Sequence, residues 1–235
     1  MPETTIDLKK EQKATIERPL LKYSAIAKIF FLGMDLITGK KTTVAKAKLI
    51  ETLASIPYRA WEIRQYAMMT RIYKKLNMVK RASDIMNWSR EAQDNEYWHL
   101  VVLEEKMKEE GAKDPWYLIQ PVPWLIVLTY VIITRTMALI SIKSAFRFNA
   151  AFEDHAEHVY AQFIEDNPAL DDQPMNNSTV KEYADVSTWG DIVRRIGLDE
   201  RDHMNNSFIF AGEPEKVIKY DGMPASPIKE KGLNF

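Results

Sequence analysis

The chain has 235 residues, with 32 Lys and Arg against 33 Asp and Glu, four His and no Cys. That length favours one large domain over residues 1–235, long enough to bury a core. Near-neutral charge gives no case for nucleic acid as a partner. The absence of thiols excludes disulfides, Cys-ligated zinc, iron–sulfur clusters and thiol switches, so any metal falls to Glu, Asp and His.

Glycine is scarce, and apolar residues recur with the helical period rather than alternating, which predicts an all-α fold. Residues 1–19 mix acids and bases without an apolar core. They read as an N-terminal arm, neither a secretion signal nor an acid-poor transit peptide. A first, amphipathic helix is expected over 20–38, LLKYSAIAKIFFLGMDLIT, stopped by Gly39. The second covers 43–78 and should bend at Pro57. The third starts near Ser83, a plausible N-cap, and ends before Gly111. Residues 116–134, WYLIQPVPWLIVLTYVIIT, carry no charge and reach the length of a minimal membrane span. Pro121 and Pro123 interrupt the run, so a continuous spanning helix needs a kink. Two readings stand: a buried core helix, or a helix that enters one leaflet and leaves again. Arg135, Lys143 and Arg147 follow, as cations do where a chain leaves the apolar layer. The fourth helix spans 122–166 and stops at Asn167-Pro168. Residues 167–186 form a polar surface loop. A fifth helix starts at Thr188, with Asp191 completing a capping box, and runs to about 210. Residues 211–235 form an extended C-terminal arm. Four long helices over 43–210 with one long connection fit a ferritin-like four-helix bundle, to which the 20–38 helix is additional.

Glu96-x-x-His99 in the third helix puts a carboxylate and an imidazole on one face. The fifth helix repeats it as Glu200-x-x-His203. Glu51 and Glu153 stand in apolar settings in the second and fourth helices. Glu51 lies nearly as far before Glu96 as Glu153 does before Glu200. The midpoints fall near 73–74, a few residues short of the turn expected at 77–83, and near 176–177, inside the polar loop. Each Glu can therefore face a Glu-x-x-His across an antiparallel pair. Taken singly, each residue has a plainer reading: Glu51 pairing with Lys46 or Lys48, or a hydrogen-bonded core histidine. Four carboxylates buried together without a cation would be very costly. The set of Glu51, Glu96, His99, Glu153, Glu200 and His203 matches the donors of di-iron or di-manganese bundles. Asn95 and Asp199 each precede a ligand Glu and are candidates to orient the imidazoles. Tyr160 lies two turns beyond Glu153 on the same face, where it is either a core tyrosine or a redox partner of the metals. His155 points off that face toward a side pocket, and His158 reads as a surface residue.

L-I-E-T-L-A-S-I-P-Y (49–58), N-E-Y-W-H-L (95–100), F-E-D-H-A-E-H-V-Y (152–160) and D-E-R-D-H (199–203) occur in that order. They resemble the four signatures of the alternative oxidases, over about residues 20–225. Pro57-Tyr58 and His155-Ala156 are similar to the plastid terminal oxidase branch. The resemblance implies two irons on the six residues above, with Tyr160 as the redox-active tyrosine. It implies a membrane-bound homodimer that oxidises quinol and reduces O2 to water, without pumping protons. The 20–38 helix and the 116–135 segment would lie on one leaflet. Quinol would enter between the second and fourth helices, against Lys46, Ile50, His155, Ala156 and Val159, with His155 accepting a proton. Three positions depart from the family pattern: Lys46 for Arg, Val159 for Thr and Gly197 for Arg. Two alternatives remain open: a di-iron hydroxylase of quinone precursors, marked by an oxygenated product, and a non-catalytic ferritin-like iron-binding membrane subunit. The apolar runs argue against a soluble ferritin shell.

Overall fold

The computed structural model describes residues 6–228. Residues 1–5 and 229–235, the outer parts of the two expected arms, lie outside the described residues. In chain order the α-helices are α1 (Leu8–Glu17), α2 (Ala25–Thr38), α3 (Val44–Ile72), α4 (Leu76–Glu109), α5 (Val122–Ile140), α6 (Ile142–Asp166), α7 (Ser178–Tyr183) and α8 (Trp189–Ala211). No strand occurs among the described residues, so the fold is all-α and compatible with a ferritin-like bundle.

Short polar side chains start most helices by accepting an orphan backbone N–H. Ser24 takes Ala27 N at 3.2 Å, Thr43 takes Lys46 N at 3.1 Å and Thr188 takes Asp191 N at 3.1 Å. Gly39 ends α2 at φ 84° and Gly212 ends α8 at φ 77°, conformations that suit glycine.

Several boundaries differ from the sequence expectation. The N-terminal arm contains α1. Helix α3 runs on through Pro57 but ends at Ile72, and α4 starts at Leu76 rather than near Ser83. No Gly or Pro breaks the residues between, and Ala82, Ile85 and Met86 are buried, so packing draws the helix start forward. The midpoint of Glu51 and Glu96 thus falls at the observed turn. The expected 122–166 helix is two helices. Ser141 adopts extended backbone (φ −156°, ψ 103°), and its hydroxyl caps α6 by accepting Ser144 N at 3.2 Å. Pro121 and Pro123 flank the start of α5, where a missing N–H is tolerated, so no mid-helix kink is needed. The polar loop holds a 3-10 turn, Pro168–Asp171, and the short α7.

Helix α3 packs chiefly on α4, and α6 on α8. The two pairs face each other, while α5 covers α3 and α6, and α1 lies on α8 and α6. Aromatic packing fills one end of the bundle with Tyr58, Trp61, Trp88, Phe146 and Phe210. Val102, Leu103, Ile164, Trp189 and Ile196 fill the other. Between these plugs lies a belt of buried polar side chains. Outside the bundle, α2 exposes Ile26, Ile29, Leu32 and Leu36, and α5 exposes Trp124, Leu125, Leu128, Ile132, Leu139 and Ile140. By length and composition α5 could cross a membrane, and little of it is buried in the protein.

Candidate metal centre

Six buried side chains meet in the polar belt. Glu51 comes from α3, Glu96 and His99 from α4, Glu153 from α6, and Glu200 and His203 from α8; none is more than 5% exposed. They form two overlapping groups, Glu51, Glu96, His99 and Glu200, and Glu96, Glu153, Glu200 and His203. Within each group the donor atoms lie within 4.8 Å of one another. His99 Nδ1 is 3.4 Å from Glu51, 3.4 Å from Glu96 and 3.2 Å from Glu200. His203 Nδ1 is 2.9 Å from Glu96 and 3.3 Å from Glu200. Glu96 and Glu200 are shared between the groups, while Glu51 with His99 and Glu153 with His203 occupy opposite ends.

The donor atoms themselves test whether this arrangement fits a metal. Glu51 Oε2, both oxygens of Glu96, His99 Nδ1, Glu153 Oε2 and Glu200 Oε1 are buried without a hydrogen-bond partner among the described residues. Buried carboxylate oxygens lacking donors are expensive, and a cation among them removes the cost. Hard oxygens with two imidazoles and no thiolate suit iron or manganese. Burial, then repulsion from Glu200 and Glu96, pushes the Glu153 carboxyl well above the usual range.

The surrounding residues hold these donors in place. Asp199 Oδ2 lies 3.3 Å from His99 Nε2 and accepts from Tyr183 at 2.6 Å and from Asn95 Nδ2 at 3.1 Å. Arg195 bonds the other oxygen of Asp199. Burial would raise the Asp199 carboxyl, but the His99 bond and the Arg195 charge hold it far below the usual range. Asn95 therefore acts on Asp199 rather than on an imidazole. On the opposite side, Tyr58 donates to Glu153 Oε1 at 2.8 Å, and Asn149 Nδ2 lies 2.8 Å from the same oxygen. Tyr160 donates to Glu51 Oε1; burial and the charges of Glu51 and Glu200 hold its phenol well above the ordinary value.

Lys46, Ile50, His155, Ala156 and Val159 line one cavity, together with Tyr160 and with Phe31 and Asp35 from α2. Phe31 stacks on the His155 ring at 4.1 Å between centroids, and burial lowers the His155 pKa. Lys46 Nζ donates to Asp35 Oδ1 at 2.6 Å and to Gly39 O at 2.8 Å. The cavity holds only about 30 Å³. A wider cleft of about 530 Å³, lined by Thr52, Ser55, Arg59, Gln93 and Arg135, reaches Glu51 and Glu96 between α3, α4 and α5.

Two expectations change. His158 is not a surface residue: its ring lies 2.7 Å from Asp154 O and 3.0 Å from Arg18 O. Gly197 lies away from the Lys46 cavity, where α6 and α8 approach closely. A Cβ there would meet Tyr160 Cβ at 3.4 Å. Tyr58, Asn149, Tyr183 and Arg195 also belong to the site, beyond the candidate residues that the sequence marks. Asn149 stands one helical turn before Glu153 and Arg195 one turn before Asp199, a spacing that could have flagged both. Tyr183 comes from the polar loop and carries no such signal.

Helices gathering two Glu and two Glu-x-x-His sets at one buried point define the dinuclear carboxylate-bundle class. The family model described as alternative oxidase matches residues 7–211, and the chain belongs to the alternative oxidase family. Alternative oxidases are di-iron quinol oxidases, oxidoreductases that act on quinol and O2. Comparison with curated proteins found no match.

Proposed function

We propose that this chain is a membrane-bound quinol:oxygen oxidoreductase that reduces O2 to water without pumping protons. The observation that carries this reading is the double role of Tyr160. Its phenol donates to Glu51, and its ring lines the cavity of Lys46 and His155. One side chain thus joins a candidate substrate pocket to the candidate metal centre.

Glu51, Glu96, His99, Glu153, Glu200 and His203 would hold two irons, with Glu96 and Glu200 shared. The irons supply the redox and oxygen chemistry when bound. The protein does the rest. Asp199, fixed by Tyr183, Asn95 and Arg195, sets the tautomer and tilt of His99. Tyr58 and Asn149 orient Glu153. Lys46, Ile50, Ala156 and Val159 wall the quinol ring, and His155 takes its proton. A benzene-sized guest needs a cavity of about 150 Å³, so Phe31 and its helix α2 must yield for quinol to enter. Tyr160 moves a proton between its phenol oxygen and Glu51. The wider cleft, with Thr52, Ser55 and Gln93 on its walls, gives O2 and water a separate route.

The exposed apolar rows of α2 and α5 support attachment to one leaflet. Helix α5 lies against α3 and α6 through Tyr130, Thr134 and Ala138, which favours lying on a bilayer over crossing it. Arg135 and Lys143 lie along or just beyond this surface, suited to lipid headgroups, whereas Arg147 pairs with Glu213 at 2.5–2.8 Å. Exposed Tyr66 on α3, Tyr73 in the turn after it, and Leu76 and Tyr97 on α4 offer apolar surface for a second copy, in keeping with a homodimer.

Oxygen uptake by the iron-loaded protein with a short-chain quinol, insensitive to cyanide, is the test. Loss of uptake in Glu96→Ala is expected. Full uptake in that variant, or none in the intact iron-loaded protein, would sink the reading.

A further inference from the structure

Helix α1 is attached to the bundle by charge. Arg201, the residue after Glu200, turns away from the metal centre. Its Nε donates to Glu157 Oε1 at 2.8 Å, Nη1 to Glu11 Oε2 at 2.5 Å and Nη2 to Thr15 Oγ1 at 2.8 Å. Thr15 in turn donates to Glu157 Oε1 at 2.6 Å. Arg18, just past α1, donates to Asp154 Oδ1 at 2.5 Å and to Glu157 Oε2 at 2.5 Å. The other oxygen of Asp154 accepts Leu21 N and the Tyr23 hydroxyl, each at 2.9 Å. Asp154, Glu157 and Arg201 are at most 2% exposed.

A buried ion cluster is a poor adhesive, because desolvation offsets most of the attraction. Apolar residues of similar size would attach α1 as well. What such a cluster does is fix position, since a displaced partner leaves a buried charge unpaired. Its members adjoin the candidate ligands: Asp154 follows Glu153, and Arg201 follows Glu200. On a helix, pinning one residue fixes the direction of its neighbour. Tyr23, held by Asp154, also sets its ring edge against His155 at 6.1 Å between centroids.

We propose that α1 is a positioning strap: the cluster of Glu11, Thr15, Arg18, Asp154, Glu157 and Arg201 fixes the rotation of α6 and α8, and so aims Glu153 and Glu200 at the metals. The inference rests on the metal reading above. Arg18 is the positioning residue best suited to a test, since it closes the cluster from outside the bundle.

The test compares the full chain in detergent with its Arg18→Met variant, using Lys13→Met on the exposed face of α1 as control. Each apoprotein is titrated with Co(II), followed by its visible bands, and its amide exchange is mapped without metal. Arg18→Met is expected to weaken Co(II) binding about tenfold, the low end of the loss when a group bonded directly to a ligand is removed, since Arg18 acts one residue further out. Its bands at saturation should shift, and exchange should quicken in α6 and α8 around residues 150–160 and 197–205. Lys13→Met should match the parent. If Arg18→Met fails to fold, Glu11→Gln takes its place; it keeps an acceptor for Arg201 but removes a charge. Unchanged affinity, bands and exchange in α6 and α8, with faster exchange confined to α1, would overturn the proposal. Failure of the parent to bind Co(II) would sink the metal reading instead, and the exchange maps would still decide the strap.

Discussion

Tyr160 and Asp199 carry the sharpest expectations for single residues. Tyr160→Phe keeps the ring in the cavity and removes the proton from Glu51. Quinol oxidation should fall at least about 100-fold, as for loss of a proton-transfer group, with KM and iron content near the parent values. Asp199→Asn keeps the shape and removes the charge that faces His99. Iron or Co(II) affinity should drop about 10- to 100-fold, measured by competition with a chelator. The convergence of Glu51, Glu96, His99, Glu153, Glu200 and His203 was legible in the sequence because Glu-x-x-His occurs on two helices and a Glu in an apolar setting precedes each at a matching distance. Asn95 and Asp199 were legible as neighbours of a ligand, although only Asp199 touches an imidazole. Tyr183 was not legible, since it ends the short α7, shares no helix face with Asp199 and owes its place to the folding of 167–186.

At the level of elements, apolar period decides what can be read. Helices α3, α4, α6 and α8 carry long buried stripes and were expected in order. Helix α1 reads as an arm in the sequence because its buried residues are Glu11 and Thr15, which leave no apolar stripe. The break at Ser141 was missed because apolar residues continue across it, while the backbone departs from helix at one residue. That break separates a helix covered with exposed Ile and Leu from one that carries Glu153. The exposed faces give a test of their own. Ile29→Lys together with Ile132→Lys removes roughly 1.5–3 kcal/mol of apolar burial per residue from a membrane-bound state. Binding to phospholipid vesicles in a flotation assay should fall at least about tenfold for the pair, with the helical content unchanged. Binding equal to the parent would place the bilayer contact elsewhere.

At the scale of the whole molecule, stability depends on acid through ion pairs that hold the ends of the bundle. Arg194 donates to Asp171 at 2.5 and 2.9 Å, and these bonds hold the Asp171 carboxyl below its ordinary value. A carboxyl lowered on folding stabilises the native state above its unfolded pKa, about 3.9. That contribution is lost as pH falls through the folded value. Thermal melts of the parent should therefore drop on acidification below about pH 4, and Arg194→Met should show a smaller drop. Metal removal acts on the same balance. Without metal only two imidazoles sit among the four central carboxylates, and several carboxylate oxygens lack a donor among the described residues, so the iron-loaded chain should melt above the apoprotein, by a margin that grows with free metal.

The buried carboxylates of Glu51, Glu96, Glu153 and Glu200 also bear on how the protein survives in a cell. A chain that has folded without iron carries these buried carboxylates inside its bundle with no cation to offset the cost of burying them. Opening there exposes the interior to proteases. Iron scarcity would then lower the amount of this protein as well as its activity, with starved cells clearing the empty chain before synthesis changes.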